Sequence, residues 1–334
     1  MRIFVLSKSG KPLMPATQAK VRKLLKAKAA KPVWNKFGEF GIQLLTETSE
    51  IIQNISLGVD VGTKFEGYSV SSKNENLLNI KLNLPDKSNI KRKMEERSTL
   101  RRTKRRHKLR SRKARYNNRV RVGFIAPSQL VVIKSRLKIL RELFKIYPIS
   151  VIGLEDVCFN HYEKRWGKNF STMEIGKNKL RAFLKEKAKL FEFKGYKTKE
   201  LREKYGYKKI SDKSKNVFES HCCDSLALAC EVLTGSRIEP NKKLTVVDDT
   251  YRPVRRKLHK VIPIKNNIRK SCGRGTVFGL QKGKIIGYKG KEYLLTGVYK
   301  NTKYRISNKE TKTPCNHIKK FSYISKNFNF IKVN

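Results

Sequence analysis

The chain of 334 residues carries 78 Lys and Arg against 27 Asp and Glu, a formal charge of +51. Its 38% hydrophobic content is enough for a folded core beneath exposed basic surfaces. Self-repulsion on this scale destabilises a compact state unless a polyanion neutralises it, and nucleic acid is the polyanion that fits. No run approaches the roughly 18 apolar residues of a membrane span, and the apolar start is too short for a signal peptide. Six cysteines form no CxxC pair, which favours reduced thiols over a zinc site or a disulfide framework.

In chain order, Ile3 to Leu6 reads as a short strand, followed by a Ser-Gly turn and the run PLMP at 12–15. Ala19, Val21, Leu24 and Leu25 then have helical spacing in a basic segment, and FGIQLLTE forms a second apolar patch. Residues 55–61, 65–72 and 77–84 are expected as three consecutive antiparallel strands with short connections. The first of them, within ISLGVDVGT, closes on a lone carboxylate, Asp60, before a glycine turn.

Composition changes abruptly from Lys91 to Arg121, where 16 Lys and Arg stand against Glu95 and Glu96 alone. The segment lacks Gly, Pro and any apolar stripe, so it has no core of its own, although arginine and lysine favour helix. Arg101, Arg105, Lys108, Arg112 and Arg115 recur three or four apart, as do Arg102, Arg106, Arg110 and Lys113. The expectation is a long helix, basic on all sides, that becomes stable when phosphates surround it. A disordered basic linker is the alternative.

Pro127-Ser128 opens a patterned helix with the stripe Leu130, Ile133, Leu137, Leu140, Phe144 and Tyr147, which Pro148 ends. ISVIGLEDV follows as the continuous apolar strand of a sheet covered on both faces, and it again carries an acid at its end, Glu155. A further helix is expected over roughly 175–194, with Leu180, Phe183, Leu184, Ala188 and Phe191 inward. Residues 215–233 read as one amphipathic helix with His221 and Asp224 on a shared face. From about Lys270 the chain is glycine-punctuated and alternating, the pattern of a small β-barrel.

Strands first, then helix, strand and helix, describe an α/β sheet covered by helices. If the acid-bearing strands are neighbours and the late helix crosses them, Asp60, Glu155 and Asp224 converge and repel unless divalent cations hold them. Hard oxygen ligands favour Mg²⁺, with Mn²⁺ as a substitute. Two ions about 3.5–4 Å apart would stabilise the attacking and leaving oxygens of phosphodiester hydrolysis. His221 could accept the attacking water's proton or orient that water. Each piece also has a plainer reading. DVGT contacts nucleotide phosphates in sugar kinases and actin-like ATPases, Glu155 could pair with one of many lysines, and Cys222, Cys223, Ala227 and Ala229 could simply pack their helix tightly. The order Asp, basic helix, Glu, HxxD favours the metal site.

Read in that order, the chain resembles the IscB/IsrB group of transposon-encoded, RNA-guided nucleases over nearly its whole length. SKSGKPLMP at 7–15 is similar to the motif that names the family's PLMP domain, and LGVDVGTKFEGYSV resembles the first RuvC segment. The arginine-rich run resembles the bridge helix and VIGLEDV the second RuvC segment. YGYKKISDKSKNVFESHCCDSLALA resembles the approach to the third, with Ser225 where alanine is usual. RRKLHKVIPIKNNIRKSCGRGTVFGLQKGKIIGYKGKEYLLTG resembles the C-terminal region. IscB proteins carry an HNH nuclease between the second and third RuvC segments. Here the 65 residues between Glu155 and His221 hold one histidine, His161, so the resemblance is to the RuvC-only IsrB type.

The resemblance implies an RNase H-like (RuvC) mixed sheet with flanking helices, split by the bridge helix. A small N-terminal PLMP domain and a C-terminal small β-barrel-like domain complete it. The implied domains are PLMP and linker at 1–54, RuvC segments at 55–90, 123–160 and 215–235, and the bridge helix at 91–122. A connector at 161–214 stands in place of an HNH domain, and 236–334 would contact RNA and the target-adjacent motif. The implied activity is that of an RNA-guided DNA nickase: it binds a large structured guide RNA, the ωRNA, and opens duplex DNA beside a short motif. It then nicks the displaced strand, with sequence reading delegated to base pairing. Carried over by residue, Asp60, Glu155 and Asp224 are the Mg²⁺ ligands and His221 the catalytic histidine. Arg101, Arg102, Arg105, Arg106, Arg110, Arg112, Arg115 and Arg119 would contact phosphates. The protein would be a monomer within a ribonucleoprotein, cytoplasmic and nucleoid-associated in a prokaryote. An unguided RNase H-fold endonuclease of the resolvase kind shares the acids without needing so dense a basic helix. A non-catalytic RNA scaffold would keep them only for structure. An actin-like kinase fails on charge and on lacking a second glycine-rich phosphate turn.

Overall fold

Prolines mark both edges of the first sheet. Its strands β1 (Arg2–Leu6), β2 (Pro12–Thr17), β3 (Ala30–Trp34) and β4 (Phe40–Leu44) lie in the order β2-β1-β4-β3. Pro12 and Pro15 fall in one edge strand and Pro32 in the other, where a missing N–H costs no ladder bond. Thr17 caps α1 (Gln18–Lys26), its hydroxyl accepting from the Lys20 N–H at 3.4 Å. Val21 of that helix packs against Val5, Leu13, Ala30, Ile42 and Leu44.

This computed structural model describes residues 2–49, 51–106, 125, 127–156, 176–248, 276–278, 280–281, 285–299, 302–308, 314–321, 323–325 and 329–332. The chain divides into two units, Met1–Pro85 with Gln129–Asp249 and Phe330–Asn334, and Asp86–Ser128 with Thr250–Asn329. It is a mixed α/β protein, and no described helix is long and apolar enough to cross a membrane.

The first unit is built on a seven-stranded mixed sheet, whose strands lie in the order β18 (Asn329–Lys332), β10 (Leu244–Asp248), β7 (Asn76–Asn83), β6 (Phe65–Ser72), β5 (Ile55–Asp60), β8 (Ile149–Asp156) and β9 (Lys189–Lys194). β5 (Ile55–Asp60), β6 (Phe65–Ser72) and β7 (Asn76–Asn83) form the expected antiparallel meander. β8 (Ile149–Asp156) runs parallel to β5, and β9 (Lys189–Lys194) parallel to β8. β10 (Leu244–Asp248) is parallel to β7, and β18 (Asn329–Lys332) is the far edge. Val59 pairs with Leu154, so β5 and β8 reach their acids level with each other.

Three helical expectations change. The helix from Pro127 is α3 (Pro127–Ile146), but Val132, Arg136, Ile139, Leu143 and Ile146 are its buried face as much as the expected stripe is. Its Glu142 accepts from the Lys36 N–H in the first sheet's hairpin, while Arg136 reaches β6, so the helix is covered on two sides. The expected helix over 175–194 is α4 (Lys177–Lys187) followed by β9. Ala188 turns extended, and the alternating KLFEFK is taken up by pairing with β8. The expected helix over 215–233 is two pieces, α6 (Phe218–His221) and α7 (Cys223–Leu233), separated at Cys222. Before them α5 (Gly195–Lys204) packs across α7, and a loop runs from Tyr205 to Val217.

In the second unit, α2 (Lys87–Arg106) is the described part of the arginine-rich run. Asp86 accepts from both the N–H and the hydroxyl of Ser88 at its start. Five antiparallel strands follow in the order β16-β15-β14-β13-β17, over a core of Ile286, Leu295, Ile306 and Ile318. These are β13 (Ile285–Tyr288), β14 (Lys291–Tyr299), β15 (Lys303–Asn308), β16 (Pro314–Ile318) and β17 (Tyr323–Ser325), and ahead of them in the chain β11 (Thr276–Val277) and β12 (Leu280–Gln281) pair with each other. The expected barrel is therefore a sheet whose outer strands do not pair with each other among the described residues.

Candidate active site

Helix α7 lies on the central sheet through glycine. A Cβ on Gly58 of β5 would fall 1.7 Å from the Ser225 carbonyl oxygen, and one on Gly67 of β6 2.2 Å from that of His221. On Gly153 of β8 it would come within 2.8 Å of the Leu228 carbonyl. Three adjacent strands thus each omit one side chain so that the backbone of α7, and at Gly67 that of α6, can touch the sheet. Cys222, Cys223, Ala227 and Ala229, all buried, complete the contact. Ser225 also has a partner here: its hydroxyl is 2.8 Å from that of Ser69, which donates to Asn79 Oδ1.

This seating brings the acids together. Asp60 at the end of β5 and Glu155 near the end of β8 are hydrogen-bonded to each other. Burial pushes the Glu155 carboxyl up to about 9, and the hydrogen bond and charge of Asp60 add to that. Asp60 is also raised, chiefly by burial. Burial and mutual repulsion thus disfavour charge on both members of the pair. Asp224 in the first turn of α7 adds its negative charge to both. Gly195, opening α5, leaves room for Glu155, whose Oε1 would be 3.2 Å from a Cβ there. The ion-pair role conceivable for Glu155 is taken by its neighbour: Asp156 pairs with Lys177 and with Arg181, the latter at 2.8 Å.

Cations close the site from one side. Arg202 of α5 donates to Asp224 Oδ1 at 2.6 Å, and Lys209 donates to Asp224 Oδ2. Lys209 and Lys213 both sit in the Tyr205–Val217 loop, and Lys213 donates to the Ser220 carbonyl at 2.6 Å. Among the described residues no three His, Cys, Asp or Glu side chains already stand as a metal-ligand set. The donor chemistry nevertheless fits a hard divalent cation: two adjacent carboxylates, both raised by burial, are a pair of hard oxygen donors whose charge such an ion would offset. Asp224, whose Oδ2 accepts from Lys209, would be the third oxygen donor of such a site.

His221 is turned elsewhere. Its Nε2 is 3.0 Å from the Lys215 carbonyl, its ring meets Phe65 edge-on at 4.8 Å, and its Nδ1 is buried without a hydrogen-bond partner. The Lys215 contact makes Nε2 the donor and leaves the Nδ1 lone pair free. Burial and the charges of Lys81, Lys213 and Lys209 lower its pKa to about 4. The break at Cys222 removes the single helix face that would have aimed His221 and Asp224 alike. Because the folded pKa lies below the ordinary 6.5, the unfolded chain binds more protons between the two values. Stability from neutral His221 is then present above about pH 6.5 and lost as pH falls toward 4. Thermal melts over that window should show a steeper loss for the native chain than for His221→Gln; parallel curves would refute the assignment.

Of the arginines expected to meet phosphates, Arg101, Arg102 and Arg106 are exposed on α2, and Arg105 lies in the same helix. Arg110, Arg112, Arg115 and Arg119 lie outside the described residues. The described basic helix exposes cations on every side, and Arg92 pairs with Glu96 at 2.5 Å. Sequence reasoning missed Arg202, Lys209 and Lys213. The only signal was a run of lysines ahead of HxxD.

Residues 3–171, half of the chain, match the family described as RRXRR protein. The match includes Asp60, Glu155 and the arginine-rich segment and ends before His221 and Asp224. No curated protein matches.

Proposed function

The chain belongs to the RRXRR protein family, a family associated with IscB/IsrB-type nucleases, and from that premise we propose that it is an RNA-guided DNA nickase of the RuvC-only IsrB type. The observation that carries the proposal is the meeting of Asp60, Glu155 and Asp224 at one end of the central sheet. A three-stranded meander, β7-β6-β5, followed by parallel β8 and β9 suits an RNase H-like domain. The acids sit at the ends of β5 and β8, the first and fourth strands of that run in chain order.

A divalent metal ion bound there would supply charge stabilisation to the attacking and leaving oxygens of a phosphodiester. Asp60 and Glu155 would hold it, with Asp224 joining from α7. His221, neutral at pH 7 with an unpartnered Nδ1 lone pair, is the candidate to accept or orient a water proton, and would have to leave the Lys215 carbonyl to do so. The exposed arginines of α2 take phosphates, and the charge of +51 suits a particle rich in RNA. Base pairing by a guide RNA reads the target, and the protein handles the backbone.

Two measurements test this. RNA that co-purifies with the protein should be one discrete long species with a variable end, and replacing that end should redirect a single-strand nick. Random or absent RNA would refute guided cleavage. Asp60→Ala should keep RNA and DNA binding and lose nicking by at least about a thousandfold. Substantial Mg²⁺-dependent cleavage by that variant would refute the metal assignment.

A further inference from the structure

Two cations hold Asp224, and they differ in kind. Arg202 projects from α5 with 16% of its side chain exposed, its guanidinium 2.6 Å from Oδ1. Lys209 projects from the loop, is 34% exposed, and takes Oδ2. The backbone on either side of Lys209 is pinned. Cys223 Sγ donates to the Lys208 carbonyl at 3.4 Å, and the Ile210 N–H donates to the Glu219 carbonyl at 3.1 Å. The ammonium is thereby held at the cluster, while its solvent-facing stem leaves it a way out.

We propose that Lys209 is the resident counter-cation of the carboxylate cluster, holding on Asp224 the place a divalent cation takes and leaving when that cation binds. This rests on the metal reading given above. Lys209 meets the Asp224 oxygen opposite the one that Arg202 holds, so the two cations divide that carboxylate between them. Arg202, more buried and carried by a helix, stays on Oδ1 and orients the carboxylate that Lys209 releases. Metal affinity is then set by competition: an ion must displace a single ammonium to reach Asp224.

The test titrates Mn²⁺ into the purified full chain and follows the free ion by electron paramagnetic resonance. An Asp60→Asn chain reports ions bound elsewhere. Lys209→Met, similar in length and uncharged, should raise the Asp60-dependent affinity about tenfold. Lys209→Arg should lower it, because a guanidinium grips a carboxylate more firmly. Equal or weaker binding by Lys209→Met would overturn the proposal. If that variant does not fold, Lys209→Arg decides alone, and equal or stronger binding overturns the proposal. If no variant shows Asp60-dependent Mn²⁺, the metal reading falls and takes this proposal with it. The expected order of affinities without any nicking would instead leave Lys209 in its role and remove only the nickase.

Discussion

Gly58→Ala should lift α7 from the central sheet and remove about 3–5 kcal/mol of stability, the far end of what single substitutions do. The added Cβ meets the Ser225 carbonyl oxygen at 1.7 Å, a backbone atom that no rotamer change can move aside. Relief requires the helix to shift, and α7 is buried along most of its length against β5, β6, β8 and α5. Against a total stability of about 5–15 kcal/mol, such a loss lowers the melting temperature by roughly 10 °C or more. Gly67→Ala and Gly153→Ala should follow in decreasing order, because their clashes are at 2.2 and 2.8 Å. Gly297→Ala in β14 is the control, with its nearest neighbour at 4.0 Å, and should cost less than about 1 kcal/mol. A Gly58→Ala melt within two or three degrees of the native one would refute this seating of the helix.

That seating was partly legible. Gly58, Gly67 and Gly153 each interrupt an otherwise strand-forming run, and a glycine inside a strand signals close approach by another backbone. Which backbone approaches is set by a helix more than 70 residues after β8 begins, so no local pattern names it. The meander was legible because its alternation is local, and α3 because Pro127 and Pro148 bracket it. The strand-end positions of Asp60 and Glu155 were legible for the same reason. The α4–β9 junction was not. LFEF fits a helix face as well as a strand, and the free edge of β8 decided the matter. The capture of Asp224 by Arg202 and Lys209 depends on the path of a whole loop, which spacing alone does not encode. The single helix expected to carry His221 and Asp224 was not legible as two pieces, because one residue, Cys222, departs from helical dihedrals between them.

Behind Asp60 lies a second buried charge cluster, and breaking it should cost about as much as Gly58→Ala. Arg136 Nε donates to Glu66 Oε1 at 2.6 Å, Tyr68 OH donates to Glu66 Oε2 at 2.8 Å, and Arg136 Nη2 donates to the Gly62 carbonyl at 3.1 Å. Glu66, Tyr68 and Arg136 are 1%, 1% and 4% exposed. Burial and the Glu66 carboxylate hold the Tyr68 phenol well above its usual range, so it remains a donor. Arg136→Met strands a carboxylate without its cation and should cost about 3–5 kcal/mol. Adding Glu66→Gln should recover part of that loss, since the stranded charge is then gone; a double variant as unstable as the sum of the singles would mean the two do not act as a pair. The Gly62 carbonyl lies in the turn that follows Asp60, and neither double nor single variant restores its donor. Stability should therefore return in the double variant further than Asp60-dependent Mn²⁺ affinity does. Recovery of both in step would assign the arginine to stability alone, whereas a gap between them makes it the residue that positions Asp60.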